Sequence, residues 1–205
     1  MQSLNSVKAK IAQMARLSLE MWQITHQTFM EHDLDLMPGV LAKENRLNDL
    51  EKEATSDLIE LGRQALKNYE KSKVPAFSEI VGDLELIGDY CKDILERVQI
   101  KIEEKLLFSD EAVDEYNDLF NKTLQELKLI TEALEKDKPD MAKEILKNKE
   151  DIGRLVDLYR KKHTLRLIEG SCSPLAGNMF LNMLDFTAMV YSRAQKIAGN
   201  LAKIK

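Results

Sequence analysis

Asp83-Leu84-Glu85-Leu86-Ile87-Gly88-Asp89-Tyr90-Cys91-Lys92-Asp93-Ile94-Leu95-Glu96 interleaves apolar residues at helical spacing with an acidic stripe. The apolar set extends outward as Ile80, Leu84, Ile87, Cys91, Ile94 and Val98, three or four residues apart, which predicts an amphipathic helix with one buried face. The same spacing recurs on both sides. Leu4, Val7, Ile11, Met14, Leu17 and Met21 trace a first helix, and Leu41, Leu47, Leu50, Ala54, Leu58 and Leu61 a second. Downstream, Ser109 is placed to cap a fourth helix that opens with Asp110 and Glu111 and continues through Leu119, Leu124, Leu127 and Ile130. Ile145, Ile152, Leu155, Leu158 and Leu165 mark a fifth. Ser173 caps a sixth, with Pro174 at a first-turn position where its missing N–H is harmless.

Proline punctuates these helices twice over. Pro38 and Pro139 precede the second and fifth, and Pro75 and Pro174 the third and sixth; each pair lies about 100 residues apart. The expected fold is all-α: two tandem three-helix units, residues 1–105 and 106–205, packed as one six-helix bundle.

With 8 glycines and 4 prolines in 205 residues, the chain lacks the turn residues of a large β architecture. Its net charge of -5 argues against a nucleic-acid partner, and the lysines of Ala202-Lys203-Ile204-Lys205 do not reverse that. Two cysteines, Cys91 and Cys172, do not make a disulfide framework and fit a reducing, cytoplasmic setting. Met1-Gln2-Ser3-Leu4-Asn5 lacks the charged head and apolar run of a signal peptide. The most apolar stretch, Pro174 to Tyr191, carries Asn178, Asn182 and Asp185 and reads as a core helix, so no membrane-spanning segment is expected. Enzyme signatures are missing: there is no Glu-x-x-His pair, no phosphate-cradling glycine loop, and His26 and His32 are six apart, off any shared helical face. Trp22, Met14, Met21 and Met30 read as core filler.

On the third helix Glu85, Asp89 and Asp93 stand four apart, and on the second Glu44, Asn48 and Glu51 share a similar spacing. Antiparallel packing of these helices would bring the two stripes face to face as a hard, oxygen-rich set suited to a divalent or ferric ion. Such spacing also arises on a solvated face in a chain with 35 acidic residues, so the pattern leaves both readings open. Gly88, costly inside a helix, implies a close approach at that point.

Leu84-Glu85-Leu86-Ile87-Gly88-Asp89, followed by Ile94-Leu95-Glu96, resembles the signature of the PhoU family of phosphate-uptake regulators, commonly L-E-R-I-G-D-H-A-x-N-I-A-E. It keeps Glu85 and Asp89 and departs at Leu86, Tyr90 and Asp93. Glu44-Asn45-Arg46-Leu47-Asn48-Asp49-Leu50-Glu51 is similar to the partner motif on the second helix. The resemblance implies a six-helix, two-repeat bundle with metal clusters at its E/D-x-x-x-D motifs. In the second repeat, alignment puts Ala188, Ser192, Lys149 and Gly153 at the acidic positions, so any metal is expected in the first repeat only.

The stretch from Arg160 through His163, Arg166, Leu167, Gly170, Cys172, Ser173 and Pro174 to Gly177 resembles R-x-x-H-x-x-R-L-x-x-G-x-C-S-P-x-A-G in the cytoplasmic tail of bacterial Na/Pi cotransporters. His163 and Arg166 could meet an anion or a carboxylate; a surface pair that packs the turn into Ser171-Cys172-Ser173 is the plainer expectation, with Cys172 structural.

These resemblances imply a non-enzymatic regulatory domain controlling inorganic phosphate uptake at the inner face of the cell membrane, as the PhoU-like part of a Na/Pi cotransporter. The alternative is a free-standing regulator of an ABC phosphate transporter and a sensor kinase, with a homodimer left open. A reading of another class is a metal-binding bundle using Glu44, Asn48, Glu51, Glu85, Asp89 and Asp93.

Overall fold

A computed structural model describes residues 3–63, 73–147 and 151–204; the terminal residues Met1, Gln2 and Lys205 and the aligned position Lys149 lie outside them. Among the described residues the chain forms α-helices and short 3₁₀ turns: α1 (Leu4–Glu31), α2 (Met37–Arg63), α3 (Val74–Glu103), α4 (Asp110–Glu135), α5 (Ala142–Lys147), α6 (Ile152–Ile168) and α7 (Pro174–Lys203). None of these helices is long and apolar enough to cross a membrane.

Local chemistry sets the ends. The side chains of Ser3, Ser109 and Ser173 accept from the backbone N–H of Ser6, Ala112 and Ala176, respectively, and Pro174 opens α7 as expected. The expected fifth helix begins anew at Ile152, because Asp151 leaves helical geometry and its carboxylate accepts from Arg154 N at 3.1 Å. Its buried face also differs from expectation. Ile152, Val156, Tyr159 and His163 point inward, while Leu158 and Leu165 are exposed. The expected stripe holds at Ile145 and Ile152, which are buried, and at Leu155, which packs against the core, and leaves the real one at Leu158 and Leu165. Met30 and Leu41, also expected inside, stand at the surface, whereas Trp22, Met14 and Met21 are fully buried.

In the first repeat α1, α2 and α3 pack on one another. The repeats then meet like on like: α3 against α7, the largest helix–helix interface, and α1 against α4. One continuous apolar core runs through both. The expected division at 105/106 falls in the connection between Glu103 and Asp110. The second repeat is looser, since α6 rests mainly on α7 and touches α4 little.

The α1–α4 seam is aromatic. Trp22 stacks on Phe120 with centroids 5.3 Å apart, His26 stacks on the same ring at 3.7 Å, and Phe29 meets Tyr116 edge-on at 4.8 Å. Burial pushes His26 below the ordinary imidazole range, against the opposing effect of its 2.7 Å hydrogen bond with Asn117. His32 and His163 are pushed down too, mainly by burial. A group that resists protonation only when folded stabilises the fold fully above the unfolded imidazole pKa, and that contribution is lost as pH falls below it. The thermal midpoint is therefore expected to drop between about pH 7.5 and pH 5.5, with a smaller drop in His26→Gln. Differential scanning calorimetry at the two pH values reads both.

Candidate functional site

Helices α2 and α3 run antiparallel and bring their acidic stripes together. Lys92 Nζ on α3 lies 3.6 Å from Glu44 Oε1 on α2, and the carboxyl of Glu85 is pushed up by burial, then by the charges of Asp89, Glu51 and Glu44. The stripe borders the core as expected: Glu44 is buried, while Asn48, Glu51, Glu85 and Asp89 are half-buried. Asp93 sits at the margin. Burial pushes its carboxyl up, and the side chains acting on it are Arg97, Glu96, Asp89 and Lys92 rather than those of α2.

The close approach implied by Gly88 is made by Leu47. A Cβ on Gly88 would overlap the Leu47 side chain, with Met21 Cε 3.6 Å away. Glycine here lets the two acidic helices close up. Leu47 is fully buried and has little room to move. Gly88→Ala therefore gains roughly 1 kcal/mol of helix propensity but incurs about 1–3 kcal/mol of overpacking. A net loss of about 1 kcal/mol is expected, checked by urea denaturation.

Protein partners already hold part of the donor set. Asn48 Nδ2 donates to Glu44 Oε1 at 2.9 Å, and Thr55 Oγ1 to Glu51 Oε1 at 3.0 Å. Among the described residues, no three His, Cys, Asp or Glu side chains converge as metal ligands do. Asn48 Oδ1, however, is a buried acceptor with no donor. In the second repeat the matching positions among the described residues lack carboxylates: Ala188 and Ser192 stand on α7 and Gly153 is exposed on α6, while Arg160 pairs with Asp185.

The Arg160–Gly177 stretch forms a second constellation where α6, α4 and α7 meet. His163 is no surface residue; it is 1% exposed, with Nδ1 3.2 Å from Arg166 and Nε2 3.8 Å from Cys172 Sγ. Arg166 donates to Glu115 on α4 at 2.6 Å and 3.3 Å, and Lys162 adds a third cation–carboxylate contact at 3.6 Å. Phe180 packs 4.5 Å from the His163 ring. Gly177 lets α6 close on α7, since a Cβ there would sit 2.7 Å from Leu167 and 3.1 Å from His163 Nε2. Burial pushes the Cys172 thiol up, away from the reactive thiolate, in keeping with a structural role. Glu115 has no local sequence signal that foretells this pairing; only the α4–α6 contact shows it.

Residues 11–98 match the PhoU domain family model. The fold is that of PhoU from Pseudomonas aeruginosa, at TM-score 0.89 and 16% identity, covering 98% of this chain and 96% of that one. PhoU from Streptococcus pneumoniae, a phosphate transport system regulatory protein, is similar at TM-score 0.84 and 16% identity, with 98% and 94% covered. No curated protein sequence matches the chain.

Proposed function

We propose that this chain, with its PhoU domain over residues 11–98, is a non-enzymatic regulator of inorganic phosphate uptake that acts on a phosphate transporter and its sensor kinase. The observation that carries this reading is the domain match itself, which contains the whole α2–α3 acidic stripe and its close-packing glycine. The fold likeness runs over nearly the full length of two PhoU proteins, which favours a free-standing regulator over a cotransporter tail. The stretch that prompted the tail reading has an internal explanation. Arg160, His163 and Arg166 meet Asp185, Cys172 and Glu115 within the bundle.

Deleting the gene and following a phosphate-starvation reporter in phosphate-rich medium tests the proposal. Reporter expression despite ample phosphate is expected; a silent reporter sinks it. A long apolar region upstream in the same reading frame would return the tail reading.

A metal role for the first repeat belongs to the same proposal. Glu44, Asn48, Glu51, Glu85 and Asp89 offer only oxygen donors, and the unpartnered Asn48 Oδ1 is the kind of acceptor a hard cation would satisfy. Lys92 occupies part of the charge that such an ion would take over. Bound there, the ion would offset the burial that raises Glu85 and the mutual repulsion that adds to it. Calorimetric titration with Mn²⁺ should show binding that Glu85→Gln weakens; no heat with wild-type protein would eliminate it.

A further inference from the structure

Lys101, in the last turn of α3, is 5% exposed. Among the described residues it has no carboxylate partner. Its ammonium lies 2.6 Å from His32 Nε2, and over the rings of Phe29 and Phe108 at 5.3 Å and 5.4 Å. Burial lowers its pKa, and its charge in turn helps depress His32. Ring faces answer part of a cation's charge but are not a counter-ion. A buried lysine without a carboxylate is uncommon, because an uncompensated charge is costly to desolvate.

The surroundings are built as a receptacle. His32 ends α1 in the left-handed region, at φ 54°, with its ring against Lys101. Lys101 and His32 line two adjoining cavities of about 230 and 220 Å³. Leu107 walls both, Phe108 the first, and Lys105 the second, at the end of α3. Lys101 and His32 line both cavities and the exposed Lys105 borders the second, and neither cavity has an acidic residue among its lining groups.

We propose that Lys101, His32 and Lys105 form a binding site for a phosphoryl oxyanion, either free inorganic phosphate or the phosphoryl group of a small phosphate monoester. The anion supplies the missing counter-charge of Lys101, His32 holds that ammonium in place through Nε2, and Lys105 at the second cavity adds the further cation that suits a dianion. The site lies at the far end of α3 from Glu85 and uses none of the acidic-stripe residues. It occupies the joint between α1, α3 and the loop into α4, so an anion there would tie the first repeat to the second.

Isothermal titration calorimetry with inorganic phosphate, and separately with glycerol 3-phosphate, tests this on the full chain. Wild-type protein is expected to bind at least one of them, and Lys101→Met to weaken that binding by about tenfold or more. Methionine keeps the packing volume and removes a buried amine, so the variant should fold. His32→Asn, which tolerates the left-handed backbone, is the second variant and should also weaken binding. Lys196→Met, on the α3–α7 groove, should bind as wild type does. Phosphate binding alone identifies the free ion, and monoester binding identifies a phosphorylated metabolite. No heat with either probe, or undiminished binding in Lys101→Met and His32→Asn, overturns the site. The choice of probe rests on the phosphate-uptake reading, but the outcomes separate. Binding with a silent starvation reporter would keep the site and discard the regulator, and the reverse result would do the opposite.

Discussion

Glu115→Ala is expected to destabilise the protein by about 3–5 kcal/mol, among the largest effects of any single surface-distant change. The carboxylate is 6% exposed and Arg166 is 14% exposed, so truncation leaves a largely buried guanidinium without its counter-ion. Lys162 loses its partner as well. His163 loses the one neighbour that holds its pKa up against burial and Arg166. The α6–α4 contact is slight, so this ion pair is a main tie between those helices. A melting temperature lower by about 10 °C is expected for a chain of this size. The double variant Glu115→Leu with Arg166→Met should recover much of that loss, because removing both charges also removes the uncompensated one. A single variant as stable as wild type would show that the pair is incidental.

Trp22→Ala carries a comparable expected loss, about 3–5 kcal/mol, from a fully buried indole at the seam between the repeats. It strips the stack on Phe120 and opens a cavity beside His26, which shares that ring. Trp22→Phe should cost far less. Phenylalanine keeps a stacking ring and removes the indole N–H, which is buried without a partner. Both variants should still unfold in one calorimetric transition, because a single apolar core joins the repeats. Two separated transitions in Trp22→Ala would mean that each repeat holds together alone.

The helix caps were legible because serine followed by acid or proline acts locally, and Ser109 and Ser173 both cap as their neighbours imply. The α2–α3 acidic face was legible because two short periodic patterns had one antiparallel solution. Gly88 pointed to a close approach, and its occupant proved to be Leu47 rather than a ligand. The break at Asp151 was hidden by a helical pattern that runs on either side of it. Leu158 and Leu165 misled because, among the described residues, α6 packs mainly on α7 and only slightly on α4, so leucines at core spacing face outward. The burial of His163 depends on Glu115, 48 residues earlier, and on Phe180 from α7; no local rule couples them. Lys101 was invisible for the same reason, since its lack of a carboxylate partner among the described residues exists only in three dimensions.

The most direct test of the regulatory reading is the initial rate of phosphate uptake by phosphate-replete cells, with the gene present, deleted, and restored on a plasmid. Uptake that rises on deletion and returns to its starting rate on restoration is the predicted result. Identical uptake in all three strains would contradict the account.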